Sequence, residues 1–252
     1  MKLTGNTILI TGGGTGIGRG LAESFHALGN QVIVAGRRRK ALEAVTSANP
    51  GMHAMILDIG EASAIRDFAE DVTGRFPALN VLINNAGIMR AEQLTAHPAG
   101  LDDAEAILTT NLLGPIRLTA ALLPHLQRQA YAAILNVTSG LAFVPMALTP
   151  TYCATKAALH SYTQSLRHQL RGGAVDVLEV IPPYVATHLM DGASDPRAMP
   201  LARYIAEVME ILKTQPAVTE VCVENVKRLR FAAEGGNYDA VYSLLNEARP
   251  AH

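Results

Sequence analysis

Tryptophan is absent, and aromatic residues make up only 5% of the 252-residue chain. So small a supply does not favour a stacking surface for nucleic-acid bases or an aromatic recognition patch. Cysteine is nearly as scarce. Cys153 and Cys222 permit one bridge at most, which excludes a disulfide-built scaffold and favours a reducing compartment. An excess of one charge is also missing: 21 Lys and Arg face 22 Asp and Glu, for a formal net charge of −1. A broad polyanion-binding surface is therefore not expected, although a local basic pocket is compatible with this balance. The first apolar stretch, Thr7 to Ile10, ends at glycines and is too short for a signal peptide. No later stretch reads as an uninterrupted membrane-spanning segment. The expectation is a cytoplasmic protein that engages neither membrane nor nucleic acid.

What remains is 49% hydrophobic and 17% charged, a composition and length that can build a sizeable core. Apolar runs alternate with helix-length segments. Strands are expected at Thr7–Ile10, Gln31–Ala35, His53–Leu57, Val81–Ile83, Ala133–Val137 and Val175–Ile181. Helices are expected at Ile17–Leu28, Arg38–Thr46, Ala62–Arg75, Leu101–Arg128 and Thr151–Leu170. Strands such as Ile8-Leu9-Ile10 and Val32-Ile33-Val34 are apolar on both faces, as in a sheet covered on both sides. Right-handed crossovers of this length give parallel strands and an open α/β sandwich. Beyond Ile181, Pro182-Pro183 stops the strand, 191–196 reads as a loop, and helices follow near Leu201–Leu212 and Tyr238–Leu245. Val218–Val223 reads either as a last strand or as the start of a helix reaching Arg230.

The turn after the first strand is Gly12-Gly13-Gly14-Thr15-Gly16-Ile17-Gly18. Glycines there permit a tight turn and close approach of backbone N–H groups to a diphosphate at a helix N-terminus. The second strand ends at Gly36, followed by Arg37 and Arg38. An acidic residue at the strand end would bind a ribose diol, whereas guanidinium groups suit a 2′-phosphate. Asp58, after the third strand, is placed to meet adenine or to cap the next element.

Ser139 follows the fifth apolar strand, and Tyr152 and Lys156 stand i,i+4 on the next helix, hence on one face. A phenol beside an ammonium can exchange a proton, and a serine hydroxyl can hold the reacting oxygen. Each residue alone has an ordinary structural use. Their order behind a dinucleotide-type half is what carries information.

On these motifs, with Asn84-Asn85-Ala86-Gly87 and the 13-residue step from Ser139 to Tyr152, the chain resembles the classical short-chain dehydrogenase/reductase family over nearly all of residues 5–190. The resemblance implies a Rossmann-type doubly wound parallel sheet in a three-layer α/β/α sandwich. It implies one NAD(P)-binding catalytic domain over 1–252, with a substrate-loop region near 182–212. It assigns proton transfer to Tyr152, orientation of the substrate oxygen to Ser139, ribose binding and a lowered Tyr152 pKa to Lys156, and a relay water to Asn111. Gly12, Thr15, Gly16, Ile17, Gly18, Arg37, Arg38, Asp58, Ile59, Asn85, Ala86, Gly87, Pro182, Val185 and Thr187 become cofactor residues. NADP(H) is the preferred cofactor, with NAD(H) possible, and a homotetramer or homodimer is expected. Pro183 departs from the family's usual glycine and removes an N–H beside the nicotinamide position. The Glu179-x-x-Pro-Pro-x-Val-x-Thr pattern and Gly236-Asn237-Tyr238-Asp239 resemble a bacterial subgroup of the family.

Leu141, Phe143, Val144, Pro145, Met146, Leu148, Tyr184, His188, Leu189 and Met190 are expected to form an apolar substrate wall around Tyr152. This favours a hydrophobic carbonyl compound or secondary alcohol. His160, His168 and His188 show no short zinc spacing, so no metal is expected. The competing reading is a silent dinucleotide-binding scaffold or redox-sensing regulator, which turnover with NADPH would separate from an enzyme.

Overall fold

The computed structural model describes residues 1–95, 100–190 and 195–247. Of the loop expected at 191–196, residues 191–194 lie outside the described residues.

In chain order the elements are β1 (Thr7–Thr11), α1 (Gly16–Ala27), β2 (Gln31–Gly36), α2 (Arg39–Ala48), β3 (His53–Ile56), α3 (Ala62–Arg75) and β4 (Leu79–Asn84). Then come α4 (Asp102–Leu108), a π turn at Thr109–Leu113, α5 (Gly114–Leu126), β5 (Ala132–Val137), a 3-10 turn at Gly140–Ala142 and α6 (Pro150–Gln169). The chain continues with β6 (Val175–Ile181), α7 (Leu201–Thr214), β7 (Glu220–Cys222), α8 (Glu224–Arg230) and α9 (Tyr238–Glu247). The segment left open between strand and helix divides into β7 and then α8.

The strands form one seven-stranded sheet in the order β3-β2-β1-β4-β5-β6-β7. Each neighbouring pair is parallel. Alternate side chains of a strand face opposite ways, and both faces are covered. Ile8 and Ile10 join one core with Phe25, Leu42 and Val208, while Leu9 joins the other with Phe68, Leu118 and Leu166. Strand order reverses between β1 and β4, which opens a crevice at their carboxyl ends. The site forms there.

The region near 182–212 holds a loop followed by the helix expected near Leu201–Leu212. Residues 182–190 and 195–199 form the loop, with Ala186 N donating to Met199 O at 2.9 Å and Met199 N to Tyr184 O at 2.8 Å across its base. α7 turns Tyr204, Ile205, Val208 and Leu212 into the core, and Ile205 sits against Gly20 of α1. The continuous helical stretch Asp102–Leu126 is long and apolar enough to span a membrane by length and composition, contrary to the sequence reading. In this fold Leu118, Leu122 and Leu126 make it a core helix.

Candidate active site

The glycine turn is shaped by crowding as much as by curvature. Gly12 and Gly16 have φ of 66° and 55°, in the left-handed region that side chains disfavour. A Cβ at Gly12 would stand 2.9 Å from Ala86 Cα. Thr11 holds the neighbouring motif in place: its Oγ1 accepts from Asn85 N at 3.0 Å and Ala86 N at 3.1 Å, and its carbonyl accepts from Asn85 Nδ2 at 2.9 Å. Thr15 makes no side-chain cap to α1. The first-turn N–H groups of α1 are thus left for an anion, and the turn fits a dinucleotide diphosphate.

Gly18 corrects one expectation. It does not line the cleft. It lies where a Cβ would come within 2.4 Å of both Asn85 Nδ2 and the Gly12 carbonyl oxygen, so it is a packing glycine between α1 and β4. Alanine is the better helix former by about 1 kcal/mol, yet the clash is expected to reverse the sign. Gly18→Ala should lose about 1–3 kcal/mol, as overpacked sites do. Urea unfolding checks this; a midpoint at or above the parent's would show that the turn yields.

Past the turn, Arg38 Nη2 donates to Thr15 Oγ1 at 3.0 Å, and Arg37 pairs with Asp58 at 3.9 Å. Asp58 also accepts from Gly60 N at 2.9 Å. Its carboxylate therefore shapes the β3–α3 turn and steadies Arg37 at the cleft's edge.

At the other end, Ser139 stands just beyond β5 and caps the 3-10 turn, its Oγ accepting from Leu141 N at 3.1 Å. The start of α6 is pinned by Glu92, whose carboxylate accepts from Thr151 N at 3.0 Å and Thr151 Oγ1 at 2.6 Å. Next to Thr151 stands Tyr152 and one turn further Lys156, both buried. Lys156 Nζ lies 5.6 Å from the Tyr152 ring centroid and donates to Val137 O at 2.8 Å. Burial pushes the Tyr152 phenol up to about 12, with a hydrogen bond to Ser139 opposing it. Burial lowers Lys156 to about 8, with the Glu179 carboxylate opposing. The phenol is thus raised, not lowered as expected: burial dominates, and what opposes it is the Ser139 hydrogen bond.

Asn111 is fully buried in the π turn, a helix distortion frequent at functional sites. Its amide clamps Ile88 at both ends, accepting from the N–H and donating to the carbonyl at 2.8 Å each. Gly87 is adjacent, where a Cβ would stand 3.4 Å from Asn111 Oδ1 and 3.8 Å from Lys156 Nζ.

One cleft of about 1350 Å³ joins the two ends. Arg37, Arg38, Asp58 and Ile59 border its far part; Gly12, Thr15, Gly16, Ile17, Asn85, Ala86 and Gly87 its middle. Ser139, Tyr152 and Lys156 meet Pro182, Val185 and Thr187 at its inner part. Leu141, Met146, Tyr184, His188, Leu189 and Met190 line the adjoining wall. Cys153 steadies that wall: its Sγ accepts from Met146 N at 3.3 Å.

Phe143 is not part of the wall, contrary to expectation. Its ring packs edge-on against His160 at 4.7 Å and under the Arg230 guanidinium at 4.6 Å. Val144 is likewise withdrawn, into a core with Ala232 and Val241. The wall is completed by residues the sequence reading missed: Asn225, Arg228 and Leu229 of α8, and Val241, Leu244 and Leu245 of α9. The only sequence signal was the apolar face of α9; its partner lies about a hundred residues away.

A short chain dehydrogenase family model matches residues 6–198. The chain is 39% identical over 251 residues to the uncharacterized oxidoreductase DltE of Bacillus subtilis (strain 168), covering 98% of each chain. Among solved structures, a short chain dehydrogenase from Burkholderia cenocepacia in complex with NADP superimposes with a TM-score of 0.81 at 25% identity, covering 97% of this chain and 99% of that one. A 3-ketoacyl-(acyl-carrier-protein) reductase from Brucella melitensis complexed with NADH gives a TM-score of 0.80 at 26% identity, covering 90% and 100%. The doubly wound sheet, the match to the family model and these relatives together make the chain an NAD(P)-dependent oxidoreductase of the short-chain dehydrogenase/reductase family.

Proposed function

We propose that the chain is a single catalytic unit that interconverts an apolar carbonyl compound and its secondary alcohol, with NADP(H) preferred over NAD(H). The observation that carries this reading is the meeting of Ser139, Tyr152 and Lys156 at the junction of the glycine-lined and apolar parts of one cleft. A bound nicotinamide supplies or accepts the hydride. Ser139 Oγ and the Tyr152 phenol hold the substrate oxygen. Tyr152 gives that oxygen a proton in reduction and takes it in oxidation. Lys156 holds its ammonium beside the phenol and toward a ribose, and Asn111 fixes the Ile88 backbone behind it. Gly12, Gly16 and the open start of α1 receive the diphosphate, while Arg37 and Arg38 take the 2′-phosphate.

A phenol held near 12 stays protonated through neutral pH, which supports the reductive direction. The group that titrates in the working range is Lys156, at about 8. Reduction should therefore be at its plateau below pH 8 and fall as pH rises through that value. An activity profile that rises through pH 8 in the reductive direction would oppose this assignment. A panel of apolar ketones and aldehydes, read by NADPH absorbance, tests the function itself; turnover of none would favour a silent scaffold. The exposed Leu101, Leu108 and Leu113 along the α4–α5 side support self-association, and the reading includes a cytoplasmic homodimer or homotetramer.

A further inference from the structure

The sheet carries a polar rank where a parallel, doubly covered sheet ordinarily keeps apolar residues. Asn84 pairs in register with Asn136, Asn136 with Glu179, and Glu179 with Glu220. Asn84 Nδ2 donates to Asn136 Oδ1 at 2.9 Å, and Asn136 Nδ2 to Thr163 Oγ1 at 2.9 Å. Glu179 is the charged member and is fully buried. Its Oε1 accepts from Thr138 Oγ1 at 2.6 Å, and its Oε2 meets His160 Nδ1 at 2.8 Å.

Burying a carboxylate is costly unless the charge is used or neutralised. His160, Glu179 and Glu220 come within 4.8 Å of one another, a grouping that a metal ion could bridge. Arg230 already occupies that position electrostatically, donating to Glu220 at 2.7 and 3.2 Å. What lies on the other side of Glu179 is the proposed catalytic machinery. Thr138 immediately precedes Ser139, Val137 accepts from Lys156, and His160 is one turn along α6 from Lys156.

Resting on the catalytic reading above, we propose that Glu179 is a positioning residue. It is the buried counter-charge that keeps Lys156 an ammonium beside Tyr152, and its two hydrogen bonds lock it to the β5 end and to α6. Glu179 acts electrostatically on Lys156, opposing the loss of charge that burial imposes. The ionisable groups around Glu179 are Lys156 and His160 from α6, Glu220 and Cys222 from β7, and Arg230 from α8. Of these, Lys156 is the buried cation whose charge the reaction needs, while Arg230 is held by Glu220 and Glu234.

Glu179→Gln removes the charge while keeping the shape; its amide oxygen can still accept from Thr138 Oγ1 and its NH2 can donate to His160 in the other tautomer. The alkaline limb of turnover against pH is expected to move down by about one unit, equivalent to a tenfold change in the Lys156 protonation equilibrium. Turnover would then meet the parent's near pH 6 and lie about tenfold below it on the alkaline side. A merely structural role would scale turnover equally at every pH, and that result overturns the proposal. Should Glu179→Gln not fold, His160→Lys places a fixed cation against Glu179 and is expected to move the limb the same way; an unmoved limb in that variant also overturns it. Tyr152→Phe, measured in parallel, keeps the two readings apart. Near-parental turnover there rejects the catalytic assignment, whereas an inactive Tyr152→Phe beside an unshifted Glu179→Gln rejects only the role of Glu179.

Discussion

Replacing Tyr152 by phenylalanine is expected to lower carbonyl reduction by about 10²- to 10⁴-fold, the usual worth of a general acid. The ring remains to fill the buried position beside Cys153 and Met146, so the fold and most of the NADPH affinity should persist. What disappears is the hydroxyl that shares a hydrogen bond with Ser139 and that holds its proton throughout neutral pH. Lys156→Met should behave differently. It removes a buried ammonium that donates to Val137 O and that the proposed mechanism assigns to the ribose, so turnover and cofactor affinity should both fall. Steady-state turnover and an NADPH titration on the same preparations distinguish the two variants. Near-parental turnover by folded Tyr152→Phe would defeat the mechanism and direct attention to His188, the exposed imidazole that lines the same cleft.

The strands and the dinucleotide turn could be read from sequence because their signals are local. Ile8, Leu9 and Ile10 are all apolar since each lies beneath one or other helical layer, and the glycines are needed by contacts within the turn and with Asn85 and Ala86. Ser139, Tyr152 and Lys156 were legible through spacing along one strand end and one helix face. The apolar wall of the cleft was not. Phe143 looked like a wall residue by its position between Ser139 and Tyr152, but the 3-10 turn at Gly140–Ala142 aims it toward His160 and Arg230. The groups that close the wall come from α8 and α9, and no local pattern states where those helices dock. Glu179 stands out in the sequence only as part of a subgroup pattern, and its buried contacts are not legible there for a related reason. Of the two acidic residues of β6, Asp176 is exposed and Glu179 buried, a difference that only the register beside Asn136 and Glu220 explains. The π turn that buries Asn111 interrupts what the sequence presents as one continuous helix.

On the proposed reading, two arginines at the cleft's outer edge set the cofactor choice, and Arg37→Asp should change it most. In the parent, Arg37 lies near Asp58 at 3.9 Å with both side chains substantially exposed, so that ion pair itself adds little to stability. Its value is positional: Asp58 is fixed by Gly60 N, and Arg37 is held where β2 ends. Arg38 is restrained separately through Thr15 Oγ1, so one guanidinium remains after the substitution. A charge-assisted hydrogen bond is worth about 1.5–3 kcal/mol, and 1.4 kcal/mol is about tenfold in affinity. The preference for NADPH over NADH should therefore fall about 10- to 100-fold. The new carboxylate would stand beside Asp58 and repel a 2′-phosphate, while offering acceptors to a free ribose diol. The loss should thus appear mainly in NADPH affinity, with NADH affinity held or improved. It should also be smaller at high salt, because both carboxylates are open to solvent screening. Calorimetric titration of both dinucleotides into parent and variant measures the ratio directly. Equal affinities in the parent, or an unchanged ratio in Arg37→Asp, would remove Arg37 from the cofactor assignment and leave Arg38 as the residue to test.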